Sequence, residues 1–94
     1  MITIIARFKI KEGKIKLAKE KLSELANASK FDKGCVSYQL FEDVGDKKVL
    51  VFIESWNTIE EQTAHMDTPH IKIFNDIASD IILDEPTVTI LKPI

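Results

Sequence analysis

Apolar and polar residues alternate over Met1–Ile10. Ile2, Ile4, Ala6, Phe8 and Ile10 fall on one face, and Thr3, Ile5, Arg7 and Lys9 on the other. Period two predicts a strand with one face given to the core. After Glu12–Gly13 the period changes. Ile15, Ala18, Leu22, Leu25, Ala26 and Ser29 recur at three- and four-residue spacing, which predicts a helix over Lys14–Lys30. Its other face is lysine and glutamate, a solvated face. Alternation returns over Cys35–Glu42, with Val36, Tyr38 and Leu40 on one side and Cys35, Ser37, Gln39 and Phe41 on the other. Val44–Gly45–Asp46–Lys47 reads as a hairpin turn, Gly45 and Asp46 supplying the tolerant backbone. Lys48–Ser55 is apolar on both faces: Leu50 and Phe52 on one, Val49, Val51 and Ile53 on the other. A strand of that kind is buried on both sides. The helices of so short a chain cover one side only, so the pattern predicts a homodimer in which a second copy covers the other.

Trp56 ends this strand. Thr58 and Glu61 form a capping-box pattern, predicting a short helix over Ile59–Met66 with His65 on it. Asp67–Thr68–Pro69 breaks it. Thr68 as cap and Pro69 at the first helical position open another helix, which carries His70 and is expected to bury Ile73, Phe74, Ile77, Ala78 and Ile81. Asp84–Glu85–Pro86 ends it, and Thr87–Leu91 makes the last strand. The order β-α-β-β-α-α-β predicts an α+β, ferredoxin-like fold: a four-stranded antiparallel sheet with helices on one face.

At 94 residues the chain is expected to be a single domain spanning 1–94. A chain of this size buries roughly 60–65% of its unfolded surface. The net charge of −2 and pI near 5.6 lack the basic face that a nucleic-acid partner needs. No run of about 18 apolar residues predicts a membrane span. The N-terminal residues alternate and follow no basic region, so they read as a strand and not a signal peptide. The single cysteine, Cys35, excludes an internal disulfide and fits a reducing cytoplasm.

Glu54–Ser55–Trp56 at the end of the third strand, followed by His65, Pro69–His70 and Phe74 at their observed spacing, resembles the antibiotic biosynthesis monooxygenase family over nearly the whole chain. The resemblance implies a dimer whose sheets face one another and close into an α+β barrel, each subunit with a pocket between sheet and helices. It implies oxygenases that attack quinols or aromatic polyketides without a metal or prosthetic group. Other members degrade haem or process small signalling molecules. The haem-degrading branch resembles this chain less. It places an asparagine, a ligating histidine and a tryptophan where Ala6, Asn75 and His65 stand here. The implied function is a cofactor-independent monooxygenase acting on a small aromatic or quinol-type substrate. The alternatives are a non-catalytic small-ligand-binding or accessory dimer, and a small-signal-processing isomerase of the same fold.

His65 is the catalytic candidate. A near-neutral imidazole can take a proton from a phenol or quinol, and the resulting electron-rich anion can pass an electron to dioxygen directly. The structural alternative is a hydrogen bond to Glu54 or a backbone carbonyl that fixes the short helix. Trp56, Phe74, Glu54, His70, Tyr38 and Phe52 are the substrate-binding candidates. Trp56 either stacks on a flat ring or anchors the core. His70 sits in a first helical turn, whose positive end disfavours its charged form. Arg7 is expected to pair with a glutamate on a neighbouring strand. No metal is expected: His65, Asp67 and His70 do not make a zinc spacing. Cys35 reads as a small buried hydrophobe. No nucleophile elbow or phosphate loop is present.

Overall fold

The computed structural model describes all 94 residues, Met1–Ile94. Its elements are β1 (Ile2–Lys9), α1 (Ile15–Ser29), β2 (Cys35–Glu42), β3 (Val49–Trp56), α2 (Ile59–His65), α3 (Pro69–Ile81) and β4 (Thr87–Leu91). The strands form one antiparallel sheet in the order β2-β3-β1-β4. This is the α+β, ferredoxin-like arrangement that the pattern predicts. No helix is long and apolar enough to cross a membrane.

Register explains which residues meet. Ile4, Ala6 and Phe8 of β1 oppose Glu54, Phe52 and Leu50 of β3. All lie under the helices, and all are buried. Tyr38 opposes Glu54 on the same face from β2. α1 adds Ala18, Leu22, Leu25 and Ala26 to this core. β2 begins less regularly than expected. The register slips between Cys35 and Ser37, and the bulge leaves Val36 exposed instead of sharing the inner face with Tyr38 and Leu40. A one-residue insertion of that kind reverses the side-chain alternation before it.

Other local expectations are corrected as well. The third helix buries Ile71, Phe74 and Ile81, at spacings of three and seven, whereas Ile73 is 66% exposed. Thr68 is the N-cap residue of that helix, with Pro69 following, but its side chain makes no capping hydrogen bond. Its hydroxyl donates instead to the carbonyl of His65 at 2.8 Å and ties the two helices together. Thr58 does cap α2: Oγ1 accepts from the Glu61 amide at 3.2 Å and donates to Glu61 Oε1 at 3.0 Å. The β2–β3 connection needs no left-handed residue, because Gly45 has no positive φ. Asp43 and Asp46 close it by accepting from the amides of Gly45 and Lys48 at 2.8 and 2.9 Å. Arg7 pairs with Asp43 in this loop at 3.1 Å, and not with a glutamate.

The sheet's outer face is open in the single chain. Phe41, Ile53 and Leu91 are exposed there, around a buried Val51. On the helix side the cover is incomplete as well. Val88 and Ile90 oppose Ala6 and Ile4 on the inner face of β4, yet both are exposed. The helices stop short of β4, and a cavity opens in the space that remains.

Candidate active site

The cavity is about 470 Å³ and opens between the sheet and α3. Its volume falls in the range of small-molecule sites. From the sheet it is lined by Ile4, Ala6, Phe8, Tyr38, Phe52 and Glu54. From the helix side it is lined by His65, Ile71, Phe74 and Ala78. Asp84, Glu85 and Val88 stand at its β4 edge. Phe8 packs edge-on against both Phe52 and Phe74, with ring centroids 5.5 and 6.2 Å apart. The apolar walls are therefore braced by one another.

His65 is 2% exposed. It is the last residue of α2, and its ring reaches back to the turn between α1 and β2. There Nδ1 lies 2.6 Å from Asp32 Oδ2. A carboxylate can only accept, so the ring donates from Nδ1, and its neutral tautomer leaves Nε2 with a free lone pair. Nε2 is 3.5 Å from the Tyr38 hydroxyl, the outer limit of a hydrogen bond. Burial pushes the His65 pKa down, and Asp32 opposes that shift. The ring is thus oriented by a carboxylate, and burial favours its neutral form.

Asp32 has a second imidazole on the same oxygen: His70 Nε2 lies 2.8 Å from Oδ2. The turn that carries Asp32 closes at Gly34, whose φ of +82° is left-handed and suits glycine. A side chain there would also strike the Glu61 carboxylate. The donor atoms of Asp32, His65 and His70 lie within 4.8 Å of one another. The two contacts to Asp32 Oδ2 have hydrogen-bond lengths. As placed, the two rings and the carboxylate form a hydrogen-bonded cluster.

Glu54 lines the floor at 4% exposed. Its Oε1 accepts from Trp56 Nε1–H at 2.8 Å. Burial pushes the carboxyl pKa up, and the donors Trp56 and Tyr38 offset part of that rise. Tyr38 is pushed up too, by burial first and by the Glu54 charge second. Cys35 is half-buried and not the fully buried hydrophobe expected, and burial raises its thiol to about 11.

The candidates read from the sequence therefore divide. Glu54, Tyr38, Phe52, His65 and Phe74 line the cavity. Trp56 does not: it is 0% exposed and lies behind His65, ring centroids 4.8 Å apart. It anchors the core and holds Glu54 in place. His70 lies outside the cavity, on a separate groove between α1 and α3, and reaches the site only through Asp32. Asp32 itself escapes sequence reasoning. It is 33 residues from His65, in a turn where an acidic residue is unremarkable.

The family model for antibiotic biosynthesis monooxygenase matches residues 1–76. The Bacillus subtilis (strain 168) protein named "Putative monooxygenase YcnE" is 30% identical over 74 residues, covering 79% of this chain and 78% of that protein. A crystal structure described as an antibiotic biosynthesis monooxygenase superposes with a TM-score of 0.92 at 26% identity, over 100% of this chain and 99% of the other. Protein PA3566 of Pseudomonas aeruginosa superposes with a TM-score of 0.92 at 22% identity, over 99% and 93% of the two chains, which speaks for the fold alone. The matched span holds every residue of the Asp32, Glu54 and His65 cluster, and the chain belongs to the antibiotic biosynthesis monooxygenase family.

Proposed function

We propose that the chain is a monooxygenase-type enzyme that deprotonates a small phenolic or quinol-type substrate in this cavity. His65 is the base and Asp32 its positioning residue. The observation that carries this reading is the commitment of His65 Nδ1–H to Asp32 at 2.6 Å, which leaves Nε2 as a buried lone pair beside the cavity. Proton loss makes an aromatic ring electron-rich enough to give an electron to dioxygen directly. The imidazolium that forms is held by the Asp32 carboxylate. Phe8, Phe52 and Phe74 supply flat apolar walls for a ring. Family membership and the relative named as a monooxygenase support the same class of reaction.

The test is oxygen uptake with a panel of quinols, with product identified by mass spectrometry. Wild type should consume oxygen, and His65→Ala should be slower by about 10²–10⁴-fold, the usual contribution of a general base. No uptake by wild type across the panel overturns the reading. Ligand-induced thermal stabilisation without product would instead favour a non-catalytic binding dimer.

The working unit in this proposal is a homodimer joined through the outer sheet face. Phe41, Ile53 and Leu91 are exposed there, on a face that also carries Ile5, Val49 and Val51 among Thr3, Arg7, Thr87 and Thr89. A stable pair would bury roughly 800 Å² per subunit.

A further inference from the structure

The charged groups of the cavity share one sign. Of its 21 lining residues none is lysine or arginine, while Glu54 stands at the floor and Asp84 and Glu85 at the mouth. Lys11 reaches the carbonyl of Ser79 at 2.6 Å but does not line the cavity. The remaining ion-paired cations go elsewhere: Arg7 to Asp43, Lys19 to Glu42, Lys21 to Glu24 and Lys48 to Glu12. Both imidazoles are held by Asp32. Glu54 is thus a buried carboxyl held by a neutral donor, Trp56 Nε1–H at 2.8 Å, with the Tyr38 phenol opposite it in register. A buried carboxyl without a cation is unusual, because it loses solvation that no opposite charge repays.

We propose that Glu54 is the specificity-determining residue of this cavity: it accepts a hydrogen bond from a hydroxyl of an uncharged ligand and excludes ligands bearing carboxylate, phosphate or sulfate. The inference rests on this cavity being the substrate site, and not on turnover. An anion at the floor meets either an ionised Glu54, in a setting with little solvent to screen the repulsion, or a carboxyl that must first take up a proton. Both are unfavourable. An uncharged hydroxyl meets neither obstacle. Tyr38 adjoins both acceptors, 3.5 Å from His65 Nε2 and opposite Glu54 in the β2–β3 register. His65 and Glu54 both line the cavity on either side of Tyr38, away from Asp84 and Glu85 at the mouth. That pair of acceptors matches a flat ring with hydroxyls at one end and no acidic group. Asp84 and Glu85 at the mouth act in the same direction, but they are exposed and solvent screens them.

The test is calorimetric titration at neutral pH, under nitrogen, with naphthol, a naphthalenediol and a hydroxynaphthoate as probes. For wild type the expected result is naphthol and naphthalenediol binding, with hydroxynaphthoate weaker by at least about tenfold, equivalent to about 1.4 kcal/mol. In Glu54→Gln, whose amide oxygen can still accept from Trp56, the gap should close to about threefold or less. In the Asp84→Asn/Glu85→Gln double variant it should persist. Equal binding of naphthol and hydroxynaphthoate by wild type overturns the inference, as does a gap that survives Glu54→Gln or collapses in the double variant. If no probe binds wild type, the aromatic-substrate reading falls, and this inference with it.

Discussion

Replacing Asp32 by asparagine removes one charge and leaves the shape nearly unchanged. Asp32 Oδ2 accepts from His65 Nδ1 at 2.6 Å and from His70 Nε2 at 2.8 Å. Hydrogen bonds to a charged group contribute about 1.5–3 kcal/mol each, and neutral ones about half as much. The His65 contact is almost fully buried, whereas His70 is partly in water. The first therefore carries most of the loss, and the two together come to about 2 kcal/mol. For a domain of this size that is a fall in Tm of roughly 8–16 °C. Only the His65 share of that loss, about 1.4 kcal/mol, applies to the imidazolium formed when His65 takes a proton, so kcat/KM should fall about tenfold. The clearest readout is His65 itself. The chain has only two histidines, so both rings can be resolved by imidazole nitrogen NMR. Wild type should show a His65 ring protonated at Nδ1 and titrating below the ordinary value, because burial lowers its pKa. Asp32 is what opposes that fall, so Asp32→Asn should move the midpoint further down. A midpoint that stays put or rises would refute the orientation argument, and so would a wild-type ring protonated at Nε2.

Further outcomes follow from the same geometry. Because the folded His65 pKa lies below its unfolded value, the unfolded chain takes up that proton first. Stability should fall as the pH drops from about 6.5 toward the folded midpoint, then level off for this group. Thermal melts of wild type against His65→Asn should isolate that fall, and equal pH dependence in both would refute it. Trp56→Phe deletes the 2.8 Å donor to Glu54, which should remove about 1–3 kcal/mol and raise the Glu54 pKa. Urea unfolding and a carboxyl carbon NMR titration measure the two, and an unshifted carboxyl would show that Trp56 does not hold it. Phe74→Ala should lower stability by about 3–4 kcal/mol, since the ring is buried and packed edge-on against Phe8; a loss under about 1 kcal/mol would mean that the ring is not part of the core. Ile53→Glu should convert a dimer to monomer or aggregate in sedimentation. At 38% exposure the position tolerates charge within one subunit, so an unchanged dimer would place the interface elsewhere.

The alternation in Met1–Ile10 and the two-sided greasiness of Lys48–Ser55 were enough to specify strands, and the three- and four-residue spacing enough to specify the first helix. These signals are local: period two and period 3.6 are properties of a backbone and its near neighbours. The cap at Thr58–Glu61 was legible for the same reason, and the structure forms its Thr58 half, with the Glu61 amide donating to Thr58 Oγ1. Single-residue departures were not. The bulge at Val36, the rotation of the third helix that buries Ile71 in place of Ile73, and the use of Thr68 as a bridge to His65 all depend on what packs above and below them.

The site divides along the same line. The chain's own order placed Glu54 and Trp56 two residues apart on a strand, and His65 on a short helix after it, so their closeness was legible. Whether an aromatic ring faces a cavity or a core was not. Trp56 and Phe74 are both buried, yet only Phe74 borders the empty space. Composition and periodicity determined the elements and the sheet; the family resemblance singled out Glu54 and His65, and the structure shows both to be buried. The choice of Asp32 as that histidine's partner belongs to tertiary structure alone. A hydrogen bond across 33 residues arises from how the α1–β2 turn and the end of α2 are carried to one edge of the sheet, and no local pattern records it.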